Sequence, residues 1–287
     1  MLPAWLTKVS EPVLRATRAP SVDALQGELL RRWGSSEVWR LSYGLNSVIG
    51  KRGTDSQSGE AESYQKYVIP LGLPAPELIH SSDGVLVLED VGRATLEQEP
   101  AAEGFLAAAE LLAGIRSRRV DGPSGFPPEH VEEIADRIGR ISFDLTPLTE
   151  ALAALDRDAP LAVVHGDFVP KNLVTDGTRW TAVDWPLTYL APHLADLYTL
   201  VRDAVALGHD RGPIVARYVD VAAADPFLVD RQLLVGGACF CLRALAFVIA
   251  EGFRIIPESK DWIDPLLSEL EDLVEQLGRH RFVALRP

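Results

Sequence analysis

Between residues 161 and 185 the chain twice runs from a pair of apolar residues into a polar tip, with a fixed set of oxygen-bearing side chains at the tips. Val163-Val164 lead out of a buried strand into His165-Gly166-Asp167, and after four residues come Asn172 and the apolar pair Leu173-Val174. Ten residues after Asn172, Ala182-Val183 lead into Asp184-Trp185. A carboxylate, a carboxamide and a second carboxylate are thus expected at the mouths of neighbouring short strands. Phosphoryl transfer needs that combination, because its transition state asks mainly for an aligned hydroxyl and neutralised phosphate oxygens. One carboxylate takes the hydroxyl proton, and hard oxygen ligands hold magnesium. Asp167 suits the first role; Asn172 and Asp184 suit the second.

Each residue has a plainer reading alone. An isolated His-Gly-Asp is a common turn, Asn172 is a good turn former, Trp185 fits a core, and Asp196 fits the start of a helix. Their order and spacing together are specific. The pattern H-G-D-x-x-x-x-N followed by an apolar-apolar-Asp-Trp strand resembles the aminoglycoside phosphotransferase/choline kinase-like superfamily. The resemblance runs over about residues 36 to 200. It implies an α+β, two-lobed protein-kinase-like fold, with a small β-rich N-lobe and a larger helical C-lobe. By position, Asp167 resembles the catalytic base and Asn172 and Asp184 the magnesium ligands. His165 resembles the buried residue that fixes the loop, and Asp196 the aspartate that braces it.

Towards the N-terminus the resemblance implies a lysine on a strand that holds the nucleotide phosphates, paired with a helix glutamate. Lys51, after Ser47-Val48-Ile49-Gly50, is the candidate. Glu60 is its expected partner, in a Glu60-Ala61-Glu62-Ser63-Tyr64 helix start, with Glu62 as a substitute. The alternative is that Lys51 and Arg52 end an exposed hairpin and both glutamates face solvent. Gly50 departs from the family, which has an apolar residue there. The region before Lys51 looks too short for a full set of strands. Ser42 to Ser47 reads either as a degenerate glycine-rich phosphate loop or as a plain turn. Val87-Leu88-Glu89-Asp90-Val91 resembles the hinge that binds adenine through the backbone of Glu89 and Val91. ATP and Mg2+ are the implied cofactors.

The rest of the chain sets the frame. Helical spacing at Val22, Leu25, Leu29 and Leu30 predicts a helix over residues 21 to 33. Strands are expected at 37–41, 47–51 and 85–88, and a short helix at 60–67 after a polar loop from Gly53 to Gly59. Helices are expected at 101–118, 130–155 (one or two), 193–207, 211–224, 230–253 and 259–280. This gives a nucleotide-binding lobe with leading helices over residues 1–91 and a C-terminal helical lobe over 92–287, with the hinge near Glu89 to Gly92.

A net charge of −13 argues against general nucleic-acid binding. It is compatible with a cationic substrate as well as with simple solubility. Glu251, Glu258, Asp261 and Asp264 are candidates for holding such a cation, or form a solvated helix face. Lys171 touches a phosphate or the acceptor, or caps the loop. Cys239 and Cys241 read as buried thiols rather than a disulfide framework. The apolar stretch around them is broken by Arg243, Glu251 and Arg254, so a buried helix is expected and no membrane span. The N-terminus has no basic start followed by an apolar core, so no signal peptide is expected. A cytoplasmic monomer or homodimer acting on a small molecule fits these features. The segment after Asp184 is too short for a protein-kinase activation segment, and Gly166 stands where an arginine would pair with an activating phosphate. A small-molecule hydroxyl kinase is therefore expected, with a nucleotide-binding pseudokinase as the alternative.

Overall fold

The computed structural model describes residues 2–33, 36–53 and 59–284. Part of the expected polar loop, residues 54–58, lies outside the described residues. In chain order the elements are α1 (Ser10–Thr17), β1 (Gln26–Trp33), β2 (Ser36–Tyr43), β3 (Asn46–Arg52), α2 (Glu60–Ser63), α3 (Ile69–Leu71), β4 (Leu78–Ser82), β5 (Val85–Glu89) and β6 (Ala94–Thr95). They continue with α4 (Ala102–Arg116), α5 (Glu129–Ile138), α6 (Thr146–Asp158), β7 (Ala162–Val164), β8 (Leu173–Thr175), β9 (Trp180–Ala182) and β10 (Tyr189–Ala191). Helices α7 (Ala195–Ala206), α8 (Arg211–Ala222), α9 (Pro226–Phe247), α10 (Phe253–Ile255) and α11 (Ile263–Ala284) follow. The chain divides into two compact units, Met1–Glu99 with Lys171–Thr188, and Pro100–Pro170 with Tyr189–Pro287.

The first unit is built on an antiparallel five-stranded sheet of order β1-β2-β3-β5-β4. β5 is buried along Val85 to Leu88, as a central strand with a continuous apolar run should be. The sheet's apolar face packs on the N-terminal helical segment through Trp5, Leu6, Val9 and Val13, which meet Trp39, Leu41, Val48 and Val87. Trp5 explains Gly50. A Cβ at residue 50 would stand 2.5 Å from the Trp5 ring, so the indole fills the space that a side chain on β3 would take. The indole N–H groups of Trp5 and Trp39 both donate to Glu37 Oε2, at 3.1 Å each. Burial pushes the Glu37 carboxyl up, but those two bonds and Arg32 outweigh it and leave it below the usual carboxylate range. A small second sheet, β6-β8-β9, completes this unit.

Two expectations fail here. Residues 26–33 are a strand, not part of a helix; only Val22–Ala24 form a helical turn. Leu29 and Leu30, half of the helical pattern, are exposed on that strand. The sheet before Lys51 is therefore complete. The turn at Ser42 to Ser47 joins β2 to β3 where Tyr43 pairs with Asn46, whereas Lys51 pairs with Val38 towards the other end of the ladder. That turn thus lies at the end of the ladder away from Lys51, which is the plain-turn reading; residues 34 and 35, between β1 and β2, lie outside the described residues.

The second unit is mainly helical, and its largest described core lies between four helices. Val131, Ile134 and Ile138 of α5, Leu148, Leu152 and Leu155 of α6, Val235, Leu242 and Leu245 of α9, and Leu266, Leu270 and Leu277 of α11 form it. The run Pro226–Ile255 is long and apolar enough to cross a membrane by length and composition, and 56% of its most apolar window is buried inside the structure. Cys239 and Cys241 are buried free thiols in that helix, as expected. A two-stranded sheet, β7 against β10, is set among the helices with Tyr189 opposite Val164. Gly236 lets α9 come against the start of α7, because a Cβ there would stand 2.4 Å from the Ala195 nitrogen.

Candidate active site

In the first unit, β3 carries Lys51 inwards, 7% exposed, where its ammonium pairs with Glu60 Oε2 at 2.5 Å and with Asp184 Oδ1. Burial alone would push the Lys51 ammonium down; the Glu60 and Asp184 carboxylates outweigh it and hold the group above its ordinary value. Glu60 begins α2 and is fully buried, and its Oε1 accepts the Trp185 N–H at 3.1 Å. Glu62, the substitute considered from the sequence, is exposed. One carboxylate thus fixes both the lysine and the backbone just after Asp184. Trp185 is fully buried and donates its indole N–H to the Ala182 carbonyl at 2.9 Å, which anchors the far side of that tip.

Asp184 has φ 71°, in the left-handed region that a residue with a Cβ enters at a cost of about 1–2 kcal/mol. Such outliers concentrate where a side chain must be aimed. Asn172 is 3% exposed, and its carbonyl accepts the Val183 N–H at 2.9 Å, so the carboxamide residue and Asp184 sit on hydrogen-bonded neighbouring segments. A carboxylate and a carboxamide are hard oxygen donors of the kind Mg2+ takes, and this donor set fits it. Among the described residues no three His, Cys, Asp or Glu side chains converge on a metal position. Two protein ligands, with the rest from water and phosphate, is the usual Mg2+ arrangement.

Asp90 organises the strand exit after β5. It accepts from Arg40 Nε at 2.7 Å, Ser47 Oγ at 2.7 Å and the Gly92 N–H at 3.4 Å. Burial pushes its carboxyl up, but these bonds bring it below the usual range. Glu89 donates its own N–H to the Glu77 carbonyl at 2.9 Å, so an adenine contact at residue 89 would have to use its carbonyl. The Val91 side chain is buried.

In the second unit the segment after β7 is held by Asp196 at the start of α7. Its carboxylate accepts the His165 N–H at 2.6 Å and the Gly166 N–H at 3.0 Å. Burial pushes the Asp196 carboxyl up, against the pull of His165 and the two amides. Gly166 has φ 87°, which explains glycine between His165 and Asp167. His165 is fully buried, and its Nδ1 accepts the Asp167 N–H at 3.3 Å. Thr199 Oγ1 donates to the Phe168 carbonyl at 3.1 Å. From the other side, Arg116 of α4 donates to the carbonyls of Val163, Ala191 and Pro192 at 3.3–3.4 Å.

The structure therefore brings Lys51, Glu60 and Asp184 together in the first unit, and His165, Asp167 and Asp196 in the second. The model of the phosphotransferase enzyme family matches residues 56–227, more than half of the chain. The chain belongs to the phosphotransferase enzyme family. This phosphotransferase is similar in structure to choline kinase from Cryptosporidium parvum Iowa II, with TM-score 0.63 at 12% identity over 94% of this chain and 97% of that one. It is similar to a choline/ethanolamine kinase family protein from Mesorhizobium loti, with TM-score 0.63 at 16% identity over 95% and 97%. An aminoglycoside phosphotransferase solved in ternary complex with AMP-PNP and hygromycin B gives 0.61 at 17% identity over 94% and 98%. No curated protein matches this phosphotransferase in sequence. At these identities the likenesses establish the fold, which is the kinase-like fold expected, with a β-sheet N-terminal region and a mainly helical C-terminal part. Family and fold together make it a small-molecule kinase.

One residue of the first unit was not found from the sequence. Arg31 of β1 stands with its Nη1 4.0 Å from Asp184 Oδ2. The helical reading of residues 21–33 concealed it.

Proposed function

We propose that this phosphotransferase transfers the terminal phosphoryl group of ATP, with Mg2+, to a hydroxyl of a small molecule such as an aminoglycoside, an amino alcohol or a sugar. The observation that carries the reading is the ion-paired set Lys51–Glu60–Asp184, two of its members buried, with Asn172 hydrogen-bonded beside it. A stability role accounts for it poorly, because burying charges costs several kcal/mol per ion and is at best balanced by their pairing. In this reading residues 1–91 are the nucleotide-binding lobe and 92–287 carry the catalytic loop and acceptor site. Adenine is held by the Glu89 carbonyl and the Val91 N–H. Lys51, steered by Glu60, binds the nucleotide phosphates.

Asp167 takes the proton of the acceptor hydroxyl. The hydroxyl oxygen forms its bond to the terminal phosphorus as the bond from that phosphorus to the bridging oxygen breaks, and ADP carries away the electron pair. Asn172 and Asp184 would hold Mg2+, which neutralises charge on the phosphate oxygens when bound. His165 and Asp196 keep the loop in shape. The complete five-stranded sheet supports an active kinase over the pseudokinase alternative, which rested on an apparently short front lobe. Of the four acids considered for a cationic acceptor, Glu258, Asp261 and Asp264 are exposed, and Asp264 pairs with Arg140. Glu251 is half-buried, with a buried Oε2 that has no hydrogen-bond partner among the described residues, and it is the residue we assign to a cationic group. We take the enzyme to be cytoplasmic.

Two variants test the assignment in a phosphotransfer screen over such acceptors. Asp167→Ala should lower turnover by about 100- to 10,000-fold while Mg-ATP affinity stays within a few-fold. Asp184→Ala should abolish magnesium-dependent ATP binding in calorimetry. Wild-type-like turnover in the first, or unchanged binding in the second, defeats the proposal.

A further inference from the structure

We infer that Arg31 is a second phosphate-binding cation, gripping the polyphosphate of a nucleoside triphosphate alongside Lys51; this rests on the function proposed above. The argument starts with strand register. Residues directly opposite one another on paired strands share a face of the sheet. Arg31 is opposite Val38, and Val38 is opposite Lys51, so the three form one row across β1, β2 and β3. Arg31 is in this row only because the register shifts between Leu29 and Arg31, where β1 carries one extra residue. With regular pairing onward from Leu29–Trp39, Leu30 would face Val38 and Arg31 would fall on the opposite face. Bulges re-aim side chains in this way, and they are over-represented beside active sites.

The result is a carboxylate with a cation on each oxygen. Lys51 holds Asp184 Oδ1, while the Arg31 guanidinium lies 4.0 Å from Oδ2. The Arg31 side chain is 40% exposed. A pair this long and this exposed adds little to folding by itself. A planar guanidinium in the row of Lys51 does have a use there: it binds phosphate oxygens through two parallel N–H groups, where lysine acts as a point charge.

Calorimetry on the full-length protein with Mg-ATP, Mg-ADP and adenosine tests the role. Arg31→Ala should bind Mg-ATP about tenfold more weakly, as expected for one lost charge-assisted contact. Adenosine affinity should stay within twofold, and the melting temperature without nucleotide should shift by no more than about 1 °C, as for other exposed substitutions. Arg31→Lys should recover only part of the loss. Mg-ATP binding within twofold of wild type in Arg31→Ala overturns the inference, as does an equal loss for adenosine, which would mark a general distortion. If the unaltered protein binds no nucleotide, the phosphotransfer reading falls and Arg31 with it; if it binds and Arg31→Ala binds equally well, only the Arg31 role falls.

Discussion

His193 shows how the second unit handles a titratable ring that has no part in the proposed chemistry. It is fully buried between β10 and α7, against the rings of Phe126 and Tyr189. Burial, with Arg116 and Arg243 nearby, pushes its pKa down to about 3. The folded protein therefore keeps His193 neutral while the unfolded chain takes up a proton below about pH 6.5. Its contribution is present above that value and is lost as pH falls towards the folded pKa. Between pH 7 and 5 this residue should cost the wild type about 2 kcal/mol of stability. Urea unfolding at both pH values should show that loss in the wild type, and His193→Gln should lack it; parallel losses in both proteins would contradict the argument. At this same scale the sequence singles out Asp167, Asn172 and Asp184 by order and spacing, and the structure sets Asn172 on a segment hydrogen-bonded to the one that leads into Asp184. Arg31 left no such trace, since its position depends on a strand register that no short-range pattern encodes.

The elements were legible where one period dominated. β2, β3, β5 and the long helices of the second unit lie within a few residues of their expected positions. β1 was hidden by its own bulge, because the extra residue sets Leu29 and Leu30 side by side and breaks the two-residue alternation of a strand, leaving a spacing that imitates a helix. β4, with Leu78 and Ile79 followed by His80, Ser81 and Ser82, has too little apolar character to declare itself. Gly50 read as a defect in β3, and the structure shows an exchange: the Trp5 indole fills the place of the missing side chain. Gly50→Ala should accordingly destabilise the protein by about 1–3 kcal/mol through overpacking against a buried ring. Shortening the ring as well, in Gly50→Ala/Trp5→Leu, should cost less than the two single changes added together. A double-mutant cycle by chemical denaturation measures that coupling, and strict additivity would mean that the ring yields without strain.

For the molecule as a whole, nucleotide is expected to act on stability as well as on turnover. A ligand that binds only the native state at 100 times its dissociation constant adds about 2.7 kcal/mol. For a chain of this size that corresponds to a rise in melting temperature of roughly 5 °C. Mg-ATP should produce it in the wild type, and Asp184→Ala should lose the magnesium-dependent part; a wild-type midpoint unmoved by saturating Mg-ATP would count against nucleotide binding altogether. The contact between α7 and α9 has a wider meaning for such experiments. At Gly236 even one methyl group would displace the opening turn of α7, whose second residue, Asp196, holds the amides of His165 and Gly166. A survey that ranks positions by lost turnover would then score Gly236 beside Asp167, although nothing at residue 236 could take part in a reaction. Activity screens of this enzyme will thus report on the spacing of two helices as sharply as on the chemistry that they support.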